Sequence, residues 1–136
     1  MASSSKPQLA VNAFQKDHNC AQSVLLAYAR DFNIDEKTCL RLASGFGGGI
    51  GKTGSVCGAV TGAVMVLGLK GSGVGDSKEL TYQRTEQFLR MFEDKFGSTD
   101  CGKLTEPKTA GDTKHFCDIF VQEATAMVEI IVNDKK

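Results

Sequence analysis

Apolar residues recur at helical spacing along most of this chain, and no segment sustains the two-residue alternation of a half-buried strand. From Pro7, the pattern Leu9, Val11, Ala13, Phe14 predicts a short first helix, with Pro7 tolerated in its first turn. Asp17-His18-Asn19 interrupts it, and Asn19 is a suitable cap for a second helix from Cys20 to about Phe32. The apolar stripe of that helix is Val24, Leu25, Ala27 and Tyr28. Asn33 ends it, and Asp35 with Thr38 opens a third helix carrying Cys39, Leu40, Leu42 and Ala43.

The pattern then changes character. Gly45 to Gly54 is crowded with glycine, and from Val56 to Leu69 there is no charged side chain. A helix apolar on every side is a buried helix, so this stretch predicts a glycine-rich central helix. Ser55 is its expected N-cap, which sets Cys57 in the first turn at the positive end of the helix dipole. Gly54, Gly58 and Gly62 fall four apart, a spacing that lets another backbone cross closely or a dimer form. The apolar run is shorter than the roughly 18–20 residues that span a bilayer. Gly51-Lys52-Thr53 ends like a phosphate-binding loop, but that motif wants glycine where Phe46 stands and a strand before it.

After the central helix, positions 70 to 77 form an expected flexible connector. A long amphipathic helix follows from about Lys78 to Phe96, with Leu80, Thr81, Arg84, Phe88, Met91, Phe92 and Phe96 on one face and Gly97 as its stop. Positions 98 to 112 read as a loop containing Cys101. Asp112 or Thr113 caps a last helix reaching about Val132, whose buried face is Phe116 or Cys117, Phe120, Val121, Ala124, Met127, Val128 and Ile131. The expected fold is therefore all-α, a single-domain bundle of five to six helices around the buried glycine-rich helix. Positions 1–6 are expected to be frayed, 7–132 to be the domain and 133–136 to be a solvated tail.

Composition narrows the function. Sixteen basic and sixteen acidic residues cancel, so no overall field draws nucleic acid or an anionic membrane. The first ten residues lack the apolar core of a signal peptide. The expected compartment is the cytoplasm, where thiols are held reduced. Five cysteines in 136 residues are too few for a disulfide scaffold. They read instead as reactive, metal-binding or buried groups.

Familiar catalytic patterns are missing: there is no nucleophile elbow and no HExxH pair. Glu93-Asp94 falls on the solvated face of the long helix. Cysteine is what remains. Cys20, Cys57 and Cys117 fall in the first one or two turns of expected helices, where the helix end favours thiolate over thiol. Cys101 lies in a loop, and Cys39, mid-helix, reads as inert core. With no CxxC pair, neither a zinc ribbon nor a thioredoxin-like motif is written locally. Any shared site must be assembled from separate elements. His18 and His115 each stand two residues before a cysteine, a spacing that does not face them on a helix.

The ordered segments Asn19-Cys20-Ala21-Gln22, Phe46-Gly47-Gly48-Gly49, Cys57-Gly58-Ala59-Val60-Thr61-Gly62, Phe96-Gly97-Ser98, Cys101 and Cys117 resemble the C_GCAxxG_C_C family, described as redox-active. The resemblance runs from about position 14 to 130. It implies that Cys20, Cys57, Cys101 and Cys117 are the signature cysteines and leaves Cys39 outside the motif. The leading expectation is a thiol-dependent oxidoreductase working by thiol–disulfide exchange or electron transfer, its partner a redox protein or small thiol. Cys57 is then the attacking thiolate, Cys20 its partner, and Cys101 with Cys117 a second pair. Gly47, Gly48, Gly49 and Gly58 are expected to leave backbone access to Cys57. Two alternatives stay open: four thiolates holding zinc or an iron–sulfur cluster, and a structural protein whose cysteines are small buried hydrophobes.

Overall fold

Side-chain caps start the first three helices. In a computed structural model describing residues 5–71, 74–105 and 113–133, the Ser5 side chain accepts a hydrogen bond from the Gln8 amide and starts α1, Lys6–Gln15. Asn19 starts α2, Cys20–Tyr28, which tightens into a 3₁₀ turn over Ala29–Phe32 and stops at Asn33 in the left-handed region. Asp35 caps α3, Glu36–Ala43. After the glycine loop come α4, Gly58–Lys70, and α5, Gly75–Phe96, which ends on Gly97 at φ +88°. The short α6, Cys101–Thr105, and the long α7, Thr113–Asn133, complete the chain.

The described residues contain no strand, only an isolated antiparallel bridge between Val56 and Asp100. The protein is all-helical, as the spacing predicts. Seven α-helices stand among the described residues rather than five or six, because Cys101 to Thr105 forms a helical turn where a loop was expected. Of the positions expected to precede the domain, Ser5 caps α1 and Lys6 opens it. α2 is shorter than expected, and α5 begins at Gly75, inside the expected connector.

α4 is buried through Gly58, Ala59, Val60, Gly62, Ala63, Val66 and Leu67, and it packs against α2, α5 and α7. A Cβ added at Gly62 would stand 2.9 Å from the Ala21 carbonyl oxygen and 3.0 Å from the Val24 Cβ. The bare helix surface is therefore what allows α2 to cross so closely. The expected buried face of α7 is in place: Phe120, Val121, Ala124, Met127, Val128 and Ile131 are buried. The side chain of Phe116 lies outside the described residues.

On α5 the expectation holds for Phe88 and Phe92, both fully buried, and fails for Leu80, which is exposed. Phe92, Phe96 and Phe120 join α5 to α7, with Phe96 edge-on to Phe120 at 4.9 Å between ring centres. Such pairs add about 0.5–1.5 kcal/mol beyond their buried area. The Tyr28 hydroxyl donates to the Thr125 carbonyl and ties α2 to α7.

Candidate functional site

Cys20 is the first residue of α2, and its position is set by its neighbours. The Asn19 side-chain oxygen accepts from the Gln22 amide at 2.7 Å, while the Gln22 side chain accepts from the Asn19 amide at 2.8 Å. This reciprocal capping box satisfies two helix-end donors at once. The same side chains then reach sideways. Asn19 Nδ2 donates to the carbonyls of Ala43 and Ser44, and Gln22 Nε2 donates to that of Leu40. The start of α2 is thereby fastened to the end of α3. The signal for this was in the sequence, an Asn with Gln three residues on, but only the tertiary contact shows that it anchors a cysteine.

Cys57 is not in the first turn of α4. It is the cap residue itself, the helix starts at Gly58, and Ser55 lies outside it. Gly54, four residues before Gly58, is in the loop at φ +77°. The reason is the Val56–Asp100 bridge. The Cys57 amide donates to the Thr99 carbonyl at 2.8 Å, and the Cys101 amide donates to the Ser55 carbonyl at 2.6 Å. Two ladder bonds hold the chain extended up to Cys57, so helical geometry cannot begin earlier. The same bonds bring the start of α6, with Cys101, alongside the start of α4.

The glycine loop folds onto itself instead of opening toward a ligand. The amides of Ile50, Gly51, Lys52, Gly54 and Ser55 donate to carbonyls at 46, 45, 47, 48 and 49. Donors spent in this way do not form an anion cradle, which agrees with the failed phosphate-loop match. At Gly47, Gly48, Gly49 and Gly58, the glycines expected to leave access to Cys57, an added Cβ would fall within 3.0 Å of a neighbouring atom. A Cβ at Gly47 would meet the Asn19 side chain, one at Gly48 would meet Lys52, and one at Gly49 would come within 2.7 Å of the Cys101 Cβ. At Gly58 it would stand 2.9 Å from the Cys20 Cβ. These glycines hold the cysteine-bearing segments against one another.

Cys117 comes from the second turn of α7 and meets Cys20 in a side-chain hydrogen bond. That contact raises the Cys20 pKa, with burial adding to it, and lowers that of Cys117, although burial and Asp118 oppose the lowering. Burial pushes the Cys57 thiol up to about 12. The amides of Ala59 and Val60 pull it the other way without making a full capping hydrogen bond. Burial raises Cys101 too, with charge on Cys117 and on Asp100 next. Charge on Cys117 is felt by the other three thiols.

The bridge and the glycine contacts bring together the segments that carry Cys20, Cys57 and Cys101, and Cys117 reaches Cys20 from α7. All are free thiols; Cys20, Cys101 and Cys117 are half-buried, and Cys57 is 4 % exposed. The low-pKa thiol expected at Cys57 is found at Cys117. Cys39 lies fully buried in the core. His18 is half-buried before the Asn19 cap, and the His115 side chain lies outside the described residues. Among the described residues, no three or more Cys, His, Asp or Glu side chains are gathered as a metal ion requires. No helix among them is long and apolar enough to cross a membrane.

The comparisons with known proteins point the same way. The family described as "Putative redox-active protein (C_GCAxxG_C_C)" matches residues 18–131, which include all four clustered cysteines. A protein of Archaeoglobus fulgidus, described as uncharacterized, is 29% identical over 105 residues, covering 69% of this chain and 70% of its own. No solved structure matches.

Proposed function

We propose, for a chain that belongs to the C_GCAxxG_C_C family, thiol–disulfide exchange carried out by Cys20, Cys57, Cys101 and Cys117. The observation that carries this reading is the packing of the cysteine-bearing segments: the Val56–Asp100 bridge sets Cys101 alongside Cys57, and the bare face of Gly58 fits against the Cys20 Cβ. Exchange needs a thiolate, access for the partner and a second sulfur within reach. Cys117 is partly open to solvent, the Cys20 thiol draws its pKa down, and Cys20 supplies the second sulfur. In this reading α4 is the central helix on which the thiol-bearing ends are set. The partner is a disulfide in the cytoplasm, and a reducing thiol restores the starting state.

The test is reversible oxidation of the purified protein. Treatment with a mild disulfide oxidant should consume two thiols and create a peptide linkage between Cys20 and Cys117 that dithiothreitol removes. Failure to form any reversible disulfide among the four would end the proposal. A stoichiometric metal found after purification without oxygen, shielding all four thiols from alkylation, would assign the site to metal binding instead.

A further inference from the structure

We propose that Val56 is a docking edge for the substrate's main chain, so that the substrate is a disulfide carried by an extended peptide segment of a partner protein. The inference rests on the thiol–disulfide reading and adds to it the class of substrate. In the bridge, the Cys57 amide donates to the Thr99 carbonyl and the Cys101 amide to the Ser55 carbonyl. In an antiparallel pairing bonded in this way, the two residues between the bonds turn their own N–H and C=O groups outward, away from each other. Those residues are Val56 and Asp100. Asp100 has both groups satisfied: its amide donates to Ser98 Oγ, and its carbonyl accepts from the Leu104 amide. The Val56 amide and carbonyl have no hydrogen-bond partner among the described residues. Val56 is also 36% exposed, whereas Cys57 beside it is 4% exposed.

An outward N–H and C=O on one extended residue are what an added strand requires. A peptide residue set opposite Val56 in the antiparallel sense exchanges two hydrogen bonds with it, and a small thiol has no main chain to offer the same pair. The register then places the substrate's sulfur. The peptide residue just before that one comes to lie beside Cys57, and successive side chains point to opposite faces. A cysteine at that preceding position is directed to the face that Cys57 and Cys101 share by the same alternation. The residue opposite Val56 lies against its exposed side chain, which favours a β-branched or aromatic neighbour. In the exchange, a thiolate of the protein bonds to the peptide cysteine's sulfur, the substrate disulfide breaks, and its other sulfur leaves as a thiolate that takes up a proton. A second protein thiol displaces the peptide in turn. The protein dithiol loses two electrons and two protons, and the substrate disulfide gains them.

The test uses the wild-type protein and the peptide acetyl-Ala-Cys-Val-Ala-amide in three forms: unmodified, N-methylated at the valine, and N-methylated at the alanine after it. With serine in place of cysteine, the unmodified peptide should slow hydrogen exchange of the Val56 amide several-fold, read by NMR. With the cysteine activated as a pyridyl disulfide, the valine-methylated form should react several-fold more slowly than the unmodified one, because it lacks the N–H that bonds the Val56 carbonyl. The alanine-methylated form should keep the full rate, because that N–H points away from Val56. Equal rates for all three, equal loss from either methyl group, or no protection of Val56 by the serine peptide would overturn the docking edge. So would a Val56 amide already protected without peptide; protection that rises with protein concentration would give the edge to a second copy of this chain. Dithiodipyridine, which has no main chain, reports the exchange reading separately. Reversible cycling with it beside equal peptide rates ends the docking edge alone, and no cycling with it ends both.

Discussion

At the scale of single residues, the contest at Cys57 is between a helix end and burial. A helix N-terminus contributes about 0.3–1 kcal/mol, rarely 2, which is roughly one pKa unit. Desolvation of an enclosed group shifts a pKa by up to about 3–5 units. Burial wins, and the thiol sits near 12 against an ordinary 9.0. The sign of the stability effect follows. Between those two values the unfolded chain has released this proton and the native state has not, so the contribution of Cys57 is intact below pH 9 and is lost as pH rises toward 12. Cys57→Ala should therefore show a shallower fall in stability between pH 9 and 11 than the wild type, measured by denaturant titration. Parallel slopes would contradict the burial of that thiol.

At the scale of elements, the glycines of α4 are not equivalent. Gly62→Ala would put its Cβ against the Ala21 carbonyl and Val24, and Gly58→Ala would put one against Cys20 and the Ala21 amide. Overpacking of this kind costs about 1–3 kcal/mol, more than the roughly 1 kcal/mol that alanine gains over glycine in a helix. Both variants should melt lower. Gly68 lies in the same helix with nothing within 4 Å of the added Cβ. Gly68→Ala should stabilise by about 0.5–1 kcal/mol, and thermal unfolding of the three variants checks the contrast. Asn19→Ala breaks the capping box and both links to the end of α3. It should cost about 1–2 kcal/mol and slow closure of the Cys20–Cys117 bond, because Cys20 is no longer held.

At the scale of the whole molecule, that bond would join α2 to α7 across nearly the full chain. Closing a loop of roughly a hundred residues stabilises by about 4–5 kcal/mol in the chain-entropy picture, less any native strain. The oxidised protein should melt well above the reduced one, with the difference abolished by dithiothreitol or by Cys117→Ser. Equal melting temperatures would mean that the native state must distort to form the link. Redox state and global stability are thus coupled through the packing of two helices that also share the Tyr28–Thr125 hydrogen bond.

What the sequence determined by itself was everything written in local periodicity and caps. The helical class, the buried face of α7, the Asn19 and Asp35 caps, the stop at Gly97 and the core position of Cys39 all depend on residues within a few positions of one another. The four cysteines stand out in the sequence because three fall near expected helix starts and the family order names all four. Tertiary structure decided what depends on distant segments meeting. The Val56–Asp100 bridge moved the start of α4 past Cys57, and α2 packs against the bare faces of Gly58 and Gly62. The meeting of α7 with α2 made Cys117, rather than Cys57, the thiol with the lowered pKa. Local sequence sets which side chains stand near a helix end. Solvent exclusion and the choice of hydrogen-bond partner, which set thiol acidity here, arise only when the separate helices pack.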